Sequence, residues 1–309
     1  MASPTTSNTP SPTPSANADN TSLNNQATKY QNPVFPPAIP EVKGAREVAL
    51  DNWVGGYCRN IQEHAAKGGK PVLIVMCDEH DNPTALATEI QTLSKLSSGP
   101  FAKNGVNFFV ELSDSKLKEF RNRELNERNT STGSIVVPVA DALKNVNVIA
   151  ADPYNTAQYS GAQELFYDRD RAMINNIAQG NKNGIVLVGA VHAQAIVNDP
   201  ELNRIYDIAP VLVSRTVDRN TASTPYVQNA CDWYNNPGPS WEENRIPEGV
   251  QGAYSKPEPW KLIQREFGQA DQDRIASKLD PHCTNKEKLK QNLRNYDENL
   301  STTFGNAYR

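Results

Sequence analysis

Several things are missing from this 309-residue chain. No run of eighteen apolar residues occurs, so no segment is expected to span a membrane. There is no basic excess: 31 Lys and Arg stand against 35 Asp and Glu, for a formal charge of −4. Without a positive field, nucleic acid is not an expected partner. The four cysteines, Cys58, Cys77, Cys231 and Cys283, are widely spaced and form no CxxC pair. They indicate neither a zinc ribbon nor a disulfide framework. No Gly-rich phosphate loop, no G-x-S-x-G elbow and no HExxH helix occurs, so P-loop, serine-hydrolase and zincin chemistry have no support. The start has neither a basic n-region nor an apolar h-region, so no Sec leader is expected.

Residues 1–42 also hold few apolar side chains. The stretch PTTSNTPSPTPSANADN cannot bury enough surface to offset its ordering entropy, and it reads as a disordered Ser/Thr/Pro/Asn tail. It is compatible with a secretion signal or with a plain tail. Residues 43–309 read as a single α/β domain.

The chain is organised around residues 71–93, PVLIVMCDEHDNPTALATEIQTL. The apolar run 72–76 reads as a buried strand, with Cys77 a small core residue at its end. It stops at Asp78-Glu79-His80. Asn82 then fits an N-cap and Pro83 the first helical position, before Leu86, Ile90 and Leu93 at helical spacing. The same grammar recurs. A helix is expected over 44–67, with His64 at its surface. A second strand, 106–112, ends at Glu111, and Ser113 caps a following helix. Residues 134–143 are ambiguous, because Pro138 argues against a central strand. A third strand, 147–151, ends at Asp152. A fourth, 185–189, leads through Gly-Ala-Val to His192 and a short helix over 193–197. A last strand is expected over 210–214. Strands alternating with helices imply a mainly parallel sheet flanked by helices.

The helix over 161–179 can be phased at about 100° per residue. With Leu165 at zero, Met173 and Ile177 fall at roughly 80–120°, Arg169 near about 40° and Asp170 near about 140°. Both charged residues therefore lie inside the apolar stripe, while Arg171, near about 240°, faces solvent. A charge turned inward needs a partner, and carboxylates at the strand ends can supply it. Beyond residue 216 the periodicity weakens. Residues 226–259 read as a long loop over the site or as a binding surface. A short helix is expected over 259–267 and a polar helix over 285–300, the latter with Leu289, Leu293 and Tyr296 on one face, and His282 is expected to be exposed.

Strand ends and one buried helix face thus gather Asp78, His80, Glu111, Arg169 and His192, with Glu79 a weaker member. Two histidines with carboxylates can bind a divalent metal or run acid/base hydrolysis, and an inward Arg can fix a carboxylate or an oxyanion. Neutral imidazoles in such a site would lose function as pH falls through about 6.5.

These residues resemble a family. DEHDNP is similar to the G-E-x-H-D-N-P stretch of the ChaN-like iron-regulated lipoproteins. Glu111 in FFVEL resembles that superfamily's strand-end glutamate. Arg169 to Met173, RDRAM, resembles its R-[DN]-x-x-M helix, and Gly189 to His192, GAVH, its second G-x-x-H. The motifs follow the family's order over residues 70–200. Two positions depart from it: Cys77 replaces a glycine and Asp78 a glutamate. The wider EreA/ChaN-like group includes erythromycin esterases, TraB/Tiki metalloproteases and cell-death-inducing effectors of plant-pathogenic bacteria. The resemblance implies an α/β fold with a polar site at the strand ends, built from Asp78, His80, Glu111, Arg169 and His192. It also implies an effector, secreted by a type III route into a host cell, with hydrolase-like action on a host protein or small-molecule substrate. An ester or peptide hydrolase, which could be cytoplasmic, and a non-catalytic haem or metal binder are the alternatives.

Overall fold

The computed structural model describes residues 44–78, 82–127, 132–153, 163–213 and 224–307. The Ser/Thr/Pro/Asn stretch lies outside them. Five parallel strands form one sheet: β1 (Val72–Asp78), β2 (Val106–Val110), β3 (Val146–Ala150), β4 (Gly184–Gly189) and β5 (Asp207–Leu212). Their order is β3-β2-β4-β1-β5. The central strands β1 and β4 run in register from Leu73 opposite Gly184 to Asp78 opposite Gly189. Strands buried on both faces need apolar residues nearly throughout, which is why β1 and β4 read as apolar runs rather than alternations, and β2 as one interrupted only by Asn107.

Alternate residues of these strands divide the core in two. Val72, Ile74, Met76, Phe108 and Val110 pack beneath α1 (Ala45–Lys67), α2 (Pro83–Leu96) and α4 (Thr132–Ala142). Three C-terminal helices, α10 (Pro259–Glu266), α11 (Gln269–Leu279) and α12 (Lys286–Ala307), join that layer. Leu73, Val75, Cys77, Phe109, Val186 and Val188 face the opposite layer. It holds α5 (Gln163–Ala178), α6 (Ala190–Val197), α7 (Pro200–Ile205) and α8 (Pro225–Asn235). The short α3 (Asp114–Asn122) links β2 towards α4, and α9 (Pro239–Glu242) follows α8. Among the described residues no helix is long and apolar enough to cross a membrane.

Local signals explain most boundaries. Asn82 accepts bonds from Thr84 N at 2.9 Å and Ala85 N at 3.3 Å, and Pro83 opens α2 without a donor to lose. Ser113 caps α3 through Lys116 N. Residues 134–143, open in sequence, form most of α4 with Pro138 inside it. Nearly every side chain of α4 is buried, and that burial outweighs the proline's cost of about 3 kcal/mol. β5 spans Asp207–Leu212 where 210–214 was expected, so it starts and ends earlier, and it contains Pro210. The strand lies at the sheet's edge, where a missing donor is tolerated. His64, expected at the surface, is instead partly buried, with Nε2 2.7 Å from Asp207 Oδ2 at the start of β5. His282 is exposed as expected, and the four cysteines are free thiols.

Candidate functional site

The sheet order creates a switch point beside β4. The chain leaves β1 and β2 towards one helical layer and leaves β4 towards the other. In open α/β sheets the crevice at the carboxyl ends of such strands is where ligands bind. Four charged side chains of the site stem from this edge or the helices beside it. Glu111 follows β2 directly, and Asp152 lies two residues past β3. His192 sits in the first turn of α6, three residues after β4. Arg169 reaches in from α5.

Arg169 is the hub. It is 6 % exposed, and its Nε and Nη2 donate to Asp152 Oδ2 at 2.9 and 2.6 Å. Nη2 also donates to Glu111 Oε1 at 2.7 Å. The partners are therefore two strand-end carboxylates and not Asp170, its neighbour on the helix. The wheel's phase holds: Arg169 and Asp170 are buried and Arg171 is exposed. Glu111 is held at both oxygens, because Oε2 accepts from Gly189 N at 3.0 Å. Its Oε1 also lies 3.1 Å from His192 Nε2. On the far side of the ring, His192 Nδ1 stands 2.5 Å from Asp170 Oδ1, and Tyr226 Oη donates to Asp170 Oδ2 at 2.5 Å. The Phe166 ring lies 5.9 Å from the imidazole, centroid to centroid. One hydrogen-bonded chain thus runs from Asp152 through Arg169, Glu111, His192 and Asp170 to Tyr226.

No family model, no curated protein and no solved structure matches the chain.

The geometry assigns charges. A carboxylate only accepts, so an imidazole with a carboxylate oxygen at each nitrogen must carry a proton on both. Burial disfavours the charged ring, but the charge of Glu111 and the bond to Asp170 outweigh it and raise His192 from 6.5 to about 10. Arg169 is desolvated too, yet Glu111 and Asp152 strengthen its hold on its proton. The neutral imidazole titrating near 6.5 that the sequence suggests is therefore replaced, at His192, by an imidazolium locked between two acids.

Of the five residues nominated in sequence, three are brought together: Glu111, Arg169 and His192. Asp78 ends β1 opposite Gly189 in the ladder, and its side chain lies outside the described residues, as do Glu79 and His80. Three members went unnominated. Asp152 carried the same signal as Glu111, an acid just past an apolar strand. Asp170 carried the wheel's signal. Tyr226 carried none, since it lies in a stretch without evident periodicity.

The described donors do not suit a metal or haem iron. Both His192 nitrogens bear protons and present no lone pair to a metal. No group of three His, Cys, Asp or Glu among the described residues is placed to hold a metal ion.

Proposed function

We propose that this chain is a bacterial effector of the EreA/ChaN-like kind, whose Glu111–His192–Arg169 centre carries out hydrolase-like acid/base chemistry on a host protein or small-molecule substrate. One observation carries the catalytic half. Glu111, with 16 % of its side chain exposed, is the open end of a charged chain whose Asp152, Arg169, His192 and Asp170 are otherwise buried. Burying four ionised groups costs several kcal/mol each before pairing, and well-packed apolar residues could often fill such space without loss of stability. Charges concentrated in this way at the carboxyl edge of a parallel sheet favour a site over a scaffold. The effector half rests on the resemblance of its ordered motifs.

In this reading Glu111 is the general base. It takes a proton from water as the oxygen adds to a carbonyl carbon, and returns that proton to the leaving group. Arg169 and His192 hold the carboxylate in place, and Asp152 and Asp170 hold those cations. Gly189 N fixes the second oxygen, so Glu111 cannot swing away. The shorter Asp78, in place of the family's glutamate, leaves Glu111 as the carboxylate of choice for proton transfer.

The test is expression of wild type and Glu111→Asp in host cells, scored for cell death at matched levels of folded protein. Aspartate keeps the charge and withdraws it by one methylene, so activity should fall by about 10²-fold or more. Full activity in a folded Glu111→Asp variant would end the catalytic reading.

A further inference from the structure

Tyr226 belongs to α8, outside the sheet and its crossover helices, and no step above uses it. Its hydroxyl bonds Asp170 Oδ2, while Asp170 Oδ1 faces His192 Nδ1, each at 2.5 Å. A carboxylate held at one oxygen can still turn about its Cβ–Cγ bond, whereas one held at both cannot. The tyrosine ring is fixed separately, edge-on to Tyr167 of α5 at 6.3 Å. α8 packs on both α5 and α6, the two helices that carry Asp170 and His192. Burial and the adjacent Asp170 raise the phenol above its usual range, so the hydroxyl remains a donor at any working pH.

We infer that Tyr226 is a positioning residue of this centre: by clamping Asp170 square to Nδ1 of His192, it keeps the Nε2–H of that ring aimed at Glu111. Its effect on activity rests on the catalytic reading of Glu111, whereas its effect on the imidazolium does not. The arrangement gives α8 a purpose that packing alone does not. The outer oxygen of Asp170 is 2.5 Å from a hydroxyl that a phenylalanine of the same shape would lack.

The experiment uses the full chain, labelled with ¹⁵N-histidine, as wild type and Tyr226→Phe. Wild type should show a far-downfield Nδ1–H resonance for His192, sheltered from exchange by its burial and short bond. Phenylalanine preserves the ring contact with Tyr167 and removes only the donor. The resonance should then shift upfield or broaden away, and host-cell activity should fall about tenfold or more. An unchanged resonance in the folded variant would overturn the inference. Should Tyr226→Phe not fold, 3-fluorotyrosine placed at 226 keeps the shape and sharpens the donor. A stronger donor draws charge from Asp170 and loosens its hold on Nδ1–H, so the resonance must then move upfield, and one that stays put overturns the inference equally. The two proposals fail separately. A fully active Glu111→Asp with a resonance that moves on Tyr226→Phe sinks the catalytic reading alone. An inactive Glu111→Asp with a resonance that does not move sinks the clamp alone.

Discussion

An imidazolium buried between Glu111 and Asp170 answers to pH in the alkaline range. Its folded pKa of about 10 lies above the ordinary 6.5, so the stability it contributes is complete below about 6.5 and is lost as pH rises through about 10. Melting temperature should therefore fall between those limits more steeply in wild type than in His192→Gln, and parallel curves would refute the charge assignment. Arg169 sets a second expectation. Its removal takes away the guanidinium that both Asp152, 1 % exposed, and Glu111 accept from. Arg169→Ala should cost about 3–5 kcal/mol in urea unfolding as well as activity. Arg171→Ala, at an exposed position two residues on, should stay within about 0.5 kcal/mol of wild type. On this expectation the site is part of the fold's stability. Which residues turn inward was legible, because helical phase is local arithmetic. Their pairing was not: Arg169 chooses Asp152 and Glu111 over its neighbour Asp170 only because two strand ends converge on it.

Elements announced by strong caps or branched apolar runs were legible, and those built on small or polar residues were not. α8 buries Val227, Ala230, Cys231 and Tyr234, a proper helical spacing. Alanine and cysteine contribute little hydrophobic signal, however, so the stretch reads as loop. α11 buries Ile275, Ala276 and Leu279 in an otherwise polar sequence, too few apolar residues to announce a helix. α12 stands out by Leu289, Leu293 and Tyr296, and it also carries a contact that sequence does not reveal. Asp297, 3 % exposed, accepts from Trp260 N at 2.9 Å and Lys261 N at 3.0 Å, capping α10 from another helix. That bond satisfies two donors that a helix start leaves open. Asp297→Ala should cost about 1–2 kcal/mol, read as a lower urea midpoint, with α10 the first segment to gain amide exchange. Equal exchange in wild type and variant would mean that solvent caps α10 as well.

At the scale of the molecule, alternating strands and helices predict a parallel sheet, and the sheet is wholly parallel. Strand order was beyond reach, since it depends on which layer each crossover joins and not on any strand's own residues. The order found puts β1 and β4 at the middle of the ladder, buried on both faces and paired on both edges. Their amides should exchange last in deuterium, close to the global unfolding limit, while β3 and β5 should exchange sooner. Protection greatest at β5 would contradict this sheet.

The same order has a consequence for synthesis. β4 lies between β1 and β2, yet the ribosome makes it after both of them and after β3. While residues 79–183 emerge, β1 and β2 have no neighbour on the edges that will later meet β4. Those edges carry unpaired backbone N–H and C=O groups, ready to pair with any other strand nearby. The nascent chain must therefore wait, with the edges that will flank its innermost strand uncovered, until about residue 189 has cleared the exit tunnel. Arg169 waits with it, because neither the Gly189 amide that steadies Glu111 nor His192 exists before then. For much of translation the protein depends on whatever shelters unpaired strands in the cell that makes it.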